Sequence, residues 1–443
     1  MPKSVHRAAA STIRNLASTY RKTVLPSGLR VVTEQIPYVR SVSVGIWINS
    51  GSRDENEQNN GISHFIEHMV FKGTTNRKSA EISRSIESVG GYLNAFTSKE
   101  HTCYYARVLD EYTDLALDVL SDLVLHATFP EKELEKEKGV IIEELRNSED
   151  DPDDIIHDVL DKALFGSHPI GFPVIGTEPN VRRFTRDQLM EFRKSRYSLH
   201  RIVVAAAGNL DHDRLVAMVE RAFRLRTTIR RPQDSRKPPR FVKGRTIEHR
   251  KPIQQAHVCL GTPAYSIKSK QRYQLLVLNT LLGDGMSSRL FQKIRERYGF
   301  AYTVYSYVNM LSDTGSFACY IGTDVAHVEP SIELIRKELD RLSMKPVPKS
   351  ELARTKAQLK GNMMLSLENI PNRMMRLGSS ELYFQELTSL DSIIRNIDAV
   401  TQEDLLGLAK ELFREEKFSR VIFRPDPAGA NSLVAMPAAA VHR

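Results

Sequence analysis

The chain has 443 residues, of which 41% are hydrophobic and 26% are charged, and its formal net charge is +9. This length exceeds what one hydrophobic core organises, so we expect at least two domains. No run of about 18 apolar residues occurs, which argues against a membrane-spanning helix. The first residues lack the continuous apolar stretch of a secretory signal. We therefore expect no membrane partner.

The positive charge is concentrated in two segments, residues 1–33 and residues 221–251. The first contains six Lys/Arg and no acid, and the second contains twelve Lys/Arg and two acids. The rest of the chain is therefore net negative. A nucleic-acid interface needs its cations on a folded surface, and the sequence contains no RNP, helix-turn-helix or zinc-finger pattern. We expect no nucleic-acid partner.

The ends of the chain and the cysteines bear on its location. Residues 1–24 are predicted to be a flexible basic terminus, and the absence of acids through residue 33 also resembles an organellar transit peptide. Cys103, Cys259 and Cys319 are widely spaced and odd in number, which indicates a reducing compartment. We expect the cytoplasm of a bacterium, with the mitochondrial matrix as the alternative if the terminus is a transit peptide.

Strands and helices alternate along the first half. Residues 41–48 alternate polar and apolar side chains, as in a strand, and residues 60–64 open a helix. Further predicted strands cover residues 92–98, 102–108 and 201–207, and further predicted helices cover residues 112–125, 129–145 and 184–194.

The second half repeats this order. Its predicted strands cover residues 255–260, 302–307, 315–321 and 419–423, and its predicted helices cover residues 332–342 and 405–412, with another beginning at residue 348. The repeat predicts an α+β fold of two homologous domains, each a mostly antiparallel sheet packed with helices, joined by a linker and forming a closed chamber. The predicted boundaries are residues 25–225 for the first domain, 226–245 for the linker, 246–424 for the second domain and 425–443 for a disordered tail.

One short segment carries the chemistry. His64 and His68 are four residues apart, so on a helix both imidazoles lie on one side. Zinc commonly takes two histidines and one carboxylate and leaves a position open for water. Glu67 lies on the same side and is placed to deprotonate that water. This is the HExxH pattern in reversed order, HxxEH.

A third ligand is expected from the helix of residues 131–145. Glu137 and Glu144 are seven residues apart, which places both on one face two turns from each other. One of the two would complete the metal shell, and the other would hold a ligand histidine in place. The spacing alone leaves open which carboxylate does which.

The second half has lost the metal-binding residues. When the two helix openings are aligned, Ser288, Phe291 and Gln292 stand opposite His64, Glu67 and His68. The sequence therefore predicts one zinc ion per chain, held by the first half.

Segment 59–74, NNGISHFIEHMVFKGT, resembles the M16 (pitrilysin/insulinase-like) metallopeptidases and is most similar to bacterial relatives of the mitochondrial processing peptidase β subunit. Residues 51–54, 90–98 and 137–145 extend the resemblance, which covers about residues 25–424. The resemblance assigns each candidate a role: His64, His68 and Glu144 as metal ligands, Glu67 as the catalytic base, Glu137 as its supporting glutamate, and Asn94 and Ala95 on an edge strand that pairs with the substrate backbone.

The resemblance extends to residues 290–302, where Arg295 and Tyr302 match a substrate-holding pair, the tyrosine being placed to stabilise an oxyanion. It implies a zinc-dependent endopeptidase acting on extended peptides or presequence-like segments. Thirteen acids in residues 131–161 would attract basic substrates, although they also suit a soluble surface. We expect a homodimer. The alternatives are a heterodimer with a second M16 subunit, and a non-catalytic M16 scaffold.

Overall fold

The computed structural model describes residues 19–224 and 236–426. These residues form two compact units, each gathered from separate parts of the chain. Unit 1 takes residues up to Leu145, Pro173–Lys237 and Met363–Thr388, whereas unit 2 takes Arg146–Phe172, Pro238–Asn362 and residues from Ser389 onward. Among the described residues, no helix is both long enough and apolar enough to cross a membrane.

The strands, in chain order, are β1 (Thr19–Val24), β2 (Arg30–Gln35), β3 (Ser41–Ile48), β4 (Tyr92–Thr97), β5 (Thr102–Leu109), β6 (Ile202–Gly208), β7 (Thr246–Lys251), β8 (Ala256–Ala264), β9 (Ala301–Met310), β10 (Gly315–Thr323) and β11 (Ser419–Pro425). The helices are α1 (Ile62–Val70), α2 (Ser79–Glu87), α3 (Thr113–His126), α4 (Glu131–Asp150), α5 (Pro152–Phe165), α6 (Glu178–Arg183), α7 (Arg186–Arg196), α8 (His212–Phe223), α9 (Arg272–Gly283), α10 (Val328–Met344), α11 (Lys349–Ser366), α12 (Ile370–Phe384), α13 (Leu390–Ala399) and α14 (Gln402–Leu412). A π-helical segment covers Phe291–Arg297.

Apart from the additional strand β1, the two sheets have corresponding strand orders. Unit 1 contains a six-stranded sheet ordered β1-β2-β6-β3-β5-β4, and unit 2 a five-stranded sheet ordered β7-β11-β8-β10-β9. In each sheet one parallel pair, β2 with β6 or β7 with β11, is followed by antiparallel pairs only. The predicted fold class, two homologous α+β units with mostly antiparallel sheets, is confirmed. The chamber expected between the halves stays a prediction.

Strand β3 shows how the core of unit 1 is organised. Val42, Val44, Ile46 and Ile48 point to the face that packs with α1 and α3, whereas Trp47 points to the opposite face, which α12 covers. Both faces of the sheet are therefore buried. Hydrophobic burial of this extent is the main stabilising contribution to such a unit.

Two corresponding helices are exchanged between the sequence halves. Helix α12 comes from the second half but packs on the sheet of unit 1, and α5 comes from the first half but packs on the sheet of unit 2. The predicted domain boundaries, residues 25–225 and 246–424, keep each of these segments with its own half of the chain. Apolar periodicity shows that a helix buries one face but not which sheet receives it.

Where each exchanged helix meets its sheet, a large side chain on one element faces a glycine on the other. A methyl group on Gly378 of α12 would lie 2.2 Å from ring atoms of Trp47, so only glycine fits there. In unit 2 the sheet supplies the small residue, because a methyl group on Gly261 would lie 2.6 Å from Leu160 of α5. Each helix therefore fits the sheet on which it is found.

The N-terminal prediction needs one correction. Residues 19–24 were assigned to the flexible terminus, but they form β1, which pairs along its whole length with β2. The pairing satisfies backbone hydrogen bonds even though the side chains of β1 stay partly exposed. Residues 1–18, residues 225–235 of the linker region and residues 427–443 of the predicted tail lie outside the described residues.

Candidate metal centre

Helix α1 carries the HxxEH residues. Its apolar side chains Phe65, Ile66 and Met69 are buried in the core of unit 1, whereas His64 and His68 remain partly exposed on the other side. The preceding Gly61 has φ of +98°, and a methyl group there would lie 2.8 Å from the backbone of Gly176. The turn into the helix therefore requires glycine.

An upstream acid holds the start of this helix. Gly61 cannot cap the helix with a side chain, and the Glu55 carboxylate instead accepts hydrogen bonds from the backbone N–H groups of Gly61 and Ser63, both at 2.8 Å, and from the Asn60 amide at 3.0 Å. Burial raises the pKa of Glu55 to about 7, while these hydrogen bonds pull it down. Glu55 is not among the predicted site residues, although an acidic residue so close to a helix start is a signal in the sequence.

The two imidazoles converge on Glu144 of α4. Nε2 of His64 lies 3.7 Å from one carboxylate oxygen of Glu144, and Nε2 of His68 lies 3.4 Å from the other. The two rings are 4.6 Å apart at their centroids. The side chain of Glu144 is 47% exposed, so the group opens toward solvent.

Glu137, a buried residue of α4, supports His68. Its carboxylate lies 3.0 Å from Nδ1 of His68 and 2.6 Å from Nζ of Lys72. Burial alone would lower the pKa of His68, but hydrogen bonds to Glu137 and Glu144 outweigh it and raise this pKa to about 9. Burial and the neighbouring His68 lower the pKa of His64. Glu137 thus orients His68 so that Nε2 points to Glu144.

Glu67 lies beside this group but makes no ligand contact with it. Burial raises the pKa of its carboxyl group, and a hydrogen bond from Thr97 on β4 opposes that rise. Within the described part of the chain, its Oε2 atom is buried and accepts no hydrogen bond. A buried carboxylate with a raised pKa and a free oxygen can accept a proton.

The donor set fits a divalent zinc ion. Ligand atoms on a tetrahedral zinc with bonds near 2.1 Å lie about 3.4 Å apart, and the imidazole–carboxylate separations of 3.4 and 3.7 Å agree with that spacing. Across residues 19–224 and 236–426, His64, His68 and Glu144 form the one group of three or more such side chains with ligand atoms close enough for a metal. No second group of this kind occurs in the described part of unit 2.

The predicted substrate residues lie on β4, which packs against α1. Among the described residues this strand pairs only with β5, because it is the last strand of the sheet. Asn94 and Ala95 therefore belong to an edge strand next to the metal-binding helix, and Thr97 at its end contacts Glu67. An extended peptide can pair with such an edge.

Arg295 and Tyr302 lie in unit 2 and contact each other. The Arg295 guanidinium donates a hydrogen bond of 2.9 Å to the backbone oxygen of Tyr302 and lies 4.4 Å from the centre of its ring. The Tyr302 side chain is 75% exposed. Their approach to the metal group stays a prediction.

Comparison with known proteins identifies the family. The sequence profile "Insulinase (Peptidase family M16)" matches residues 30–178, and "Peptidase M16 inactive domain" matches residues 183–359. The chain is 44% identical to the uncharacterized zinc protease YmxG of Bacillus subtilis over 390 residues, which span 88% of this chain and 95% of that protein. This chain belongs to the M16 peptidase family.

Other M16 proteins are similar over the same length. An uncharacterized zinc protease of Streptomyces coelicolor is 41% identical over 400 residues, which cover 89% of this chain and 87% of that protein. The crystal structure of a protease from Helicobacter pylori aligns with a TM-score of 0.86 at 22% identity and covers 92% of this chain and all of that one. At this identity it shows the shared fold. The family resemblance inferred from the sequence is confirmed.

Proposed function

We propose that this M16 protein is a zinc-dependent endopeptidase that hydrolyses peptides in an extended conformation, presequence-like basic segments among them. One observation carries the proposal: His64, His68 and Glu144 place three potential ligand atoms within 4.8 Å of one another, and the Glu67 carboxylate lies next to them without joining them. Two histidines and one carboxylate are the protein ligands of a catalytic zinc with an open position.

A zinc ion held by His64, His68 and Glu144 would supply Lewis acidity, which polarises a scissile carbonyl and lowers the pKa of a water molecule so that it gives up a proton and becomes a nucleophile. Glu67 takes a proton from the attacking water as the oxygen–carbon bond forms. When the carbon–nitrogen bond breaks, Glu67 gives this proton to the leaving amine and returns to its charged form. Burial favours this role, because the raised pKa brings the carboxyl group closer to neutral pH.

The edge of β4 positions the substrate. Because β4 is the last strand of the sheet, its outer edge can take a further strand. The Asn94 side-chain oxygen accepts a hydrogen bond of 2.8 Å from the backbone N–H of Ala95, and an extended peptide would take the place of that contact. Recognition through the backbone accepts many side-chain sequences, so we infer a broad substrate range. Arg295 and Tyr302 are assigned to the substrate backbone and the oxyanion by the family resemblance.

The intact ligand set in unit 1 supports a self-sufficient enzyme, and we infer that the chain acts as a homodimer. Light scattering of the purified chain tests this, since a monomer or a requirement for a second M16 subunit would contradict it. One zinc ion per chain is part of the same proposal.

The test is turnover by the purified chain on a mixed library of basic peptides, compared with Glu67→Gln, with zinc measured in both samples. We expect wild type to cleave within extended peptides. Glu67→Gln should keep its zinc, but its turnover rate should fall by a factor of about 10²–10⁴. Glu57→Gln, an exposed acid at the start of the same region, is the matched control and should retain activity. Wild type that holds zinc and cleaves nothing, or Glu67→Gln that stays active, would contradict the proposal.

A further inference from the structure

Unit 2 contains a groove whose charge has no part in the reaction proposed above. The groove has a volume of about 550 Å³ and runs between the π-helical segment, α10 and the start of α11. Five cationic and two acidic side chains line it. Its net charge is therefore positive. The cations are Arg289, Lys293, Arg297, Arg341 and Lys345.

The two acids hold the inner cations in fixed positions. Glu338, whose side chain is only 5% exposed, lies 3.3 Å from Arg341, 3.7 Å from Arg289 and 3.7 Å from Lys293. Glu351 forms a two-point contact with the Arg289 guanidinium, with distances of 2.9 and 2.8 Å. The buried carboxylate of Glu338 and the partly buried one of Glu351 thus organise three cations, and the wall keeps a surplus of positive charge.

Two more cations at the groove are not neutralised. Arg297 and Lys345 make no ion pair with any residue in the described ranges. Both belong to the groove wall, Arg297 at the end of the π-helical segment and Lys345 just after α10. An anion entering the groove would meet these free charges together with the fixed inner ones.

The π-helical segment brings groove residues onto one side. Hydrogen bonds in a π-helix run from residue i to residue i+5, so Gln292 and Arg297 stack one above the other. In an α-helix, residues five apart would diverge by about 140°. Such segments are rare and concentrate at functional sites. This backbone form is a second feature, independent of charge, that favours a binding site.

The groove uses elements that correspond to those of the metal centre. Gln292 stands opposite His68 in the repeat, and Glu351 lies on α11, the counterpart of the helix that carries Glu144. In unit 1 these elements carry the candidate metal ligands. In unit 2 the corresponding part of the molecule carries cationic side chains instead.

We propose that this groove binds a small phosphate-bearing anion with several negative charges, such as a di- or triphosphate group. Arginine forks match phosphate oxygens in two-point contacts, and lysine adds charge without demanding geometry. The volume is that of a small-molecule site. The proposal does not depend on peptidase activity, because none of these residues belongs to the metal centre.

The experiment is titration calorimetry of the full chain with inorganic phosphate, pyrophosphate and tripolyphosphate. We expect affinity to rise with the charge of the anion and to fall as potassium chloride is raised. The double variant Arg297→Gln/Lys345→Gln should bind tripolyphosphate at least tenfold more weakly. Lys268→Gln/Lys270→Gln removes the same charge from an exposed loop of the same unit and should bind as wild type does.

Three controls keep the result decisive. Both double variants retain the metal centre, so chelation of zinc by polyphosphate contributes equally to each and cancels in the comparison. All four substituted side chains are exposed, and the unfolding temperature without anion should match wild type. Tripolyphosphate should raise that temperature in wild type but much less in Arg297→Gln/Lys345→Gln.

Three results would overturn the proposal. One is equal loss of affinity in both double variants, which would show general charge attraction rather than a site. Another is tighter binding of a polyglutamate peptide than of tripolyphosphate, which would show a surface for acidic peptides. Absence of heat and of any temperature shift at millimolar tripolyphosphate would also exclude the site.

Discussion

Units 1 and 2 share a strand order but differ in chemistry at the corresponding helix. In unit 1 a regular α-helix presents His64 and His68 to Glu144. In unit 2 the counterpart is π-helical and presents Gln292 and Arg297 to a basic groove. The apolar faces of the strands maintain the fold in both units, so a few polar positions can change without loss of the sheet.

The two exchanged helices also differ in the polar contacts that they make with their sheets. Helix α12 is fixed on the sheet of unit 1 by ionic contacts, such as Glu381 with Lys22 at 2.8 Å. Helix α5 contacts the sheet of unit 2 through His157, which lies 2.8 and 3.0 Å from the hydroxyl groups of Tyr307 and Tyr305, and through the Asp153 carboxylate, which lies 2.8 Å from Nδ1 of His257. One architecture therefore tolerates different polar contacts, provided that large and small apolar residues remain complementary.

Replacing His68 by glutamine, the residue that stands opposite it at position 292 of unit 2, should have the largest effect on metal binding. His68→Gln removes one of three protein ligands and its contact with Glu137, and we expect zinc affinity to fall roughly a thousandfold, in proportion to one ligand's share of a structural zinc's binding free energy. Competition with a fluorescent chelator measures this. The reciprocal change Gln292→His should not add a second zinc, because no partner carboxylate–imidazole set is found in the described part of unit 2. Unchanged zinc affinity in His68→Gln would contradict the ligand assignment.

The buried acid at the start of α1 should make the stability of unit 1 depend on pH. The folded-state pKa of Glu55, about 7, is above its usual 4.5. The folded chain therefore binds this proton more tightly than the unfolded chain does. The stability contributed by protonation is complete below about pH 4.5 and is lost as the pH rises through 7.

We expect the free energy of unfolding of wild type, relative to Glu55→Gln, to fall by about 3 kcal/mol across that range. Urea titrations at several pH values measure it through the fluorescence of Trp47, the single tryptophan. The exposed Glu57→Gln variant should follow wild type. A constant difference between wild type and Glu55→Gln at every pH would show that Glu55 does not titrate in this range.

The packing of α12 on unit 1 should be sensitive to one methyl group. Gly378→Ala places a carbon 2.2 Å from the Trp47 ring, so we expect a loss of about 2 kcal/mol or more in the free energy of unfolding. Gly361→Ala is the matched control in helix α11, because nothing lies within 4 Å of its added methyl group. That control should gain up to about 1 kcal/mol. Equal effects of the two substitutions would contradict the size matching.

Replacing Lys72 should have the smallest effect of these substitutions, a modest loss of zinc affinity. It holds Glu137, which in turn holds His68, so Lys72→Gln acts on the metal through two contacts. We expect a loss of about tenfold in zinc affinity with no change in stoichiometry. Lys78→Gln, an exposed lysine of the next loop, should leave the affinity unchanged. A thousandfold loss in Lys72→Gln would mean that Glu137 does more than orient His68.

Local patterns were sufficient for much of the fold. The strand predicted at residues 41–48 has the same bounds in the structure, because its alternation reflects two different buried faces. The spacing of His64, Glu67 and His68 required only the helical period. The choice between Glu137 and Glu144 needed the family resemblance, since seven residues place both on one face, and in the structure it is Glu144 that approaches both imidazoles.

The parts that were missed depend on contacts between distant segments. Strand β1 has no strong alternation and exists through its pairing with β2. The exchange of α5 and α12 depends on pairs such as Trp47 with Gly378, which are 331 positions apart in number and share no local pattern. Glu55, Lys72 and Thr97 have ordinary surface residue types, and only the folded chain places them around the motif.

The most direct test of the central claim is anomalous scattering from crystals of the wild-type chain grown with zinc, recorded on both sides of the zinc absorption edge. We expect one peak per chain, within bonding distance of His64, His68 and Glu144 and absent in His68→Gln. A peak elsewhere, a second peak of equal height in unit 2, or no peak at all would contradict this expectation.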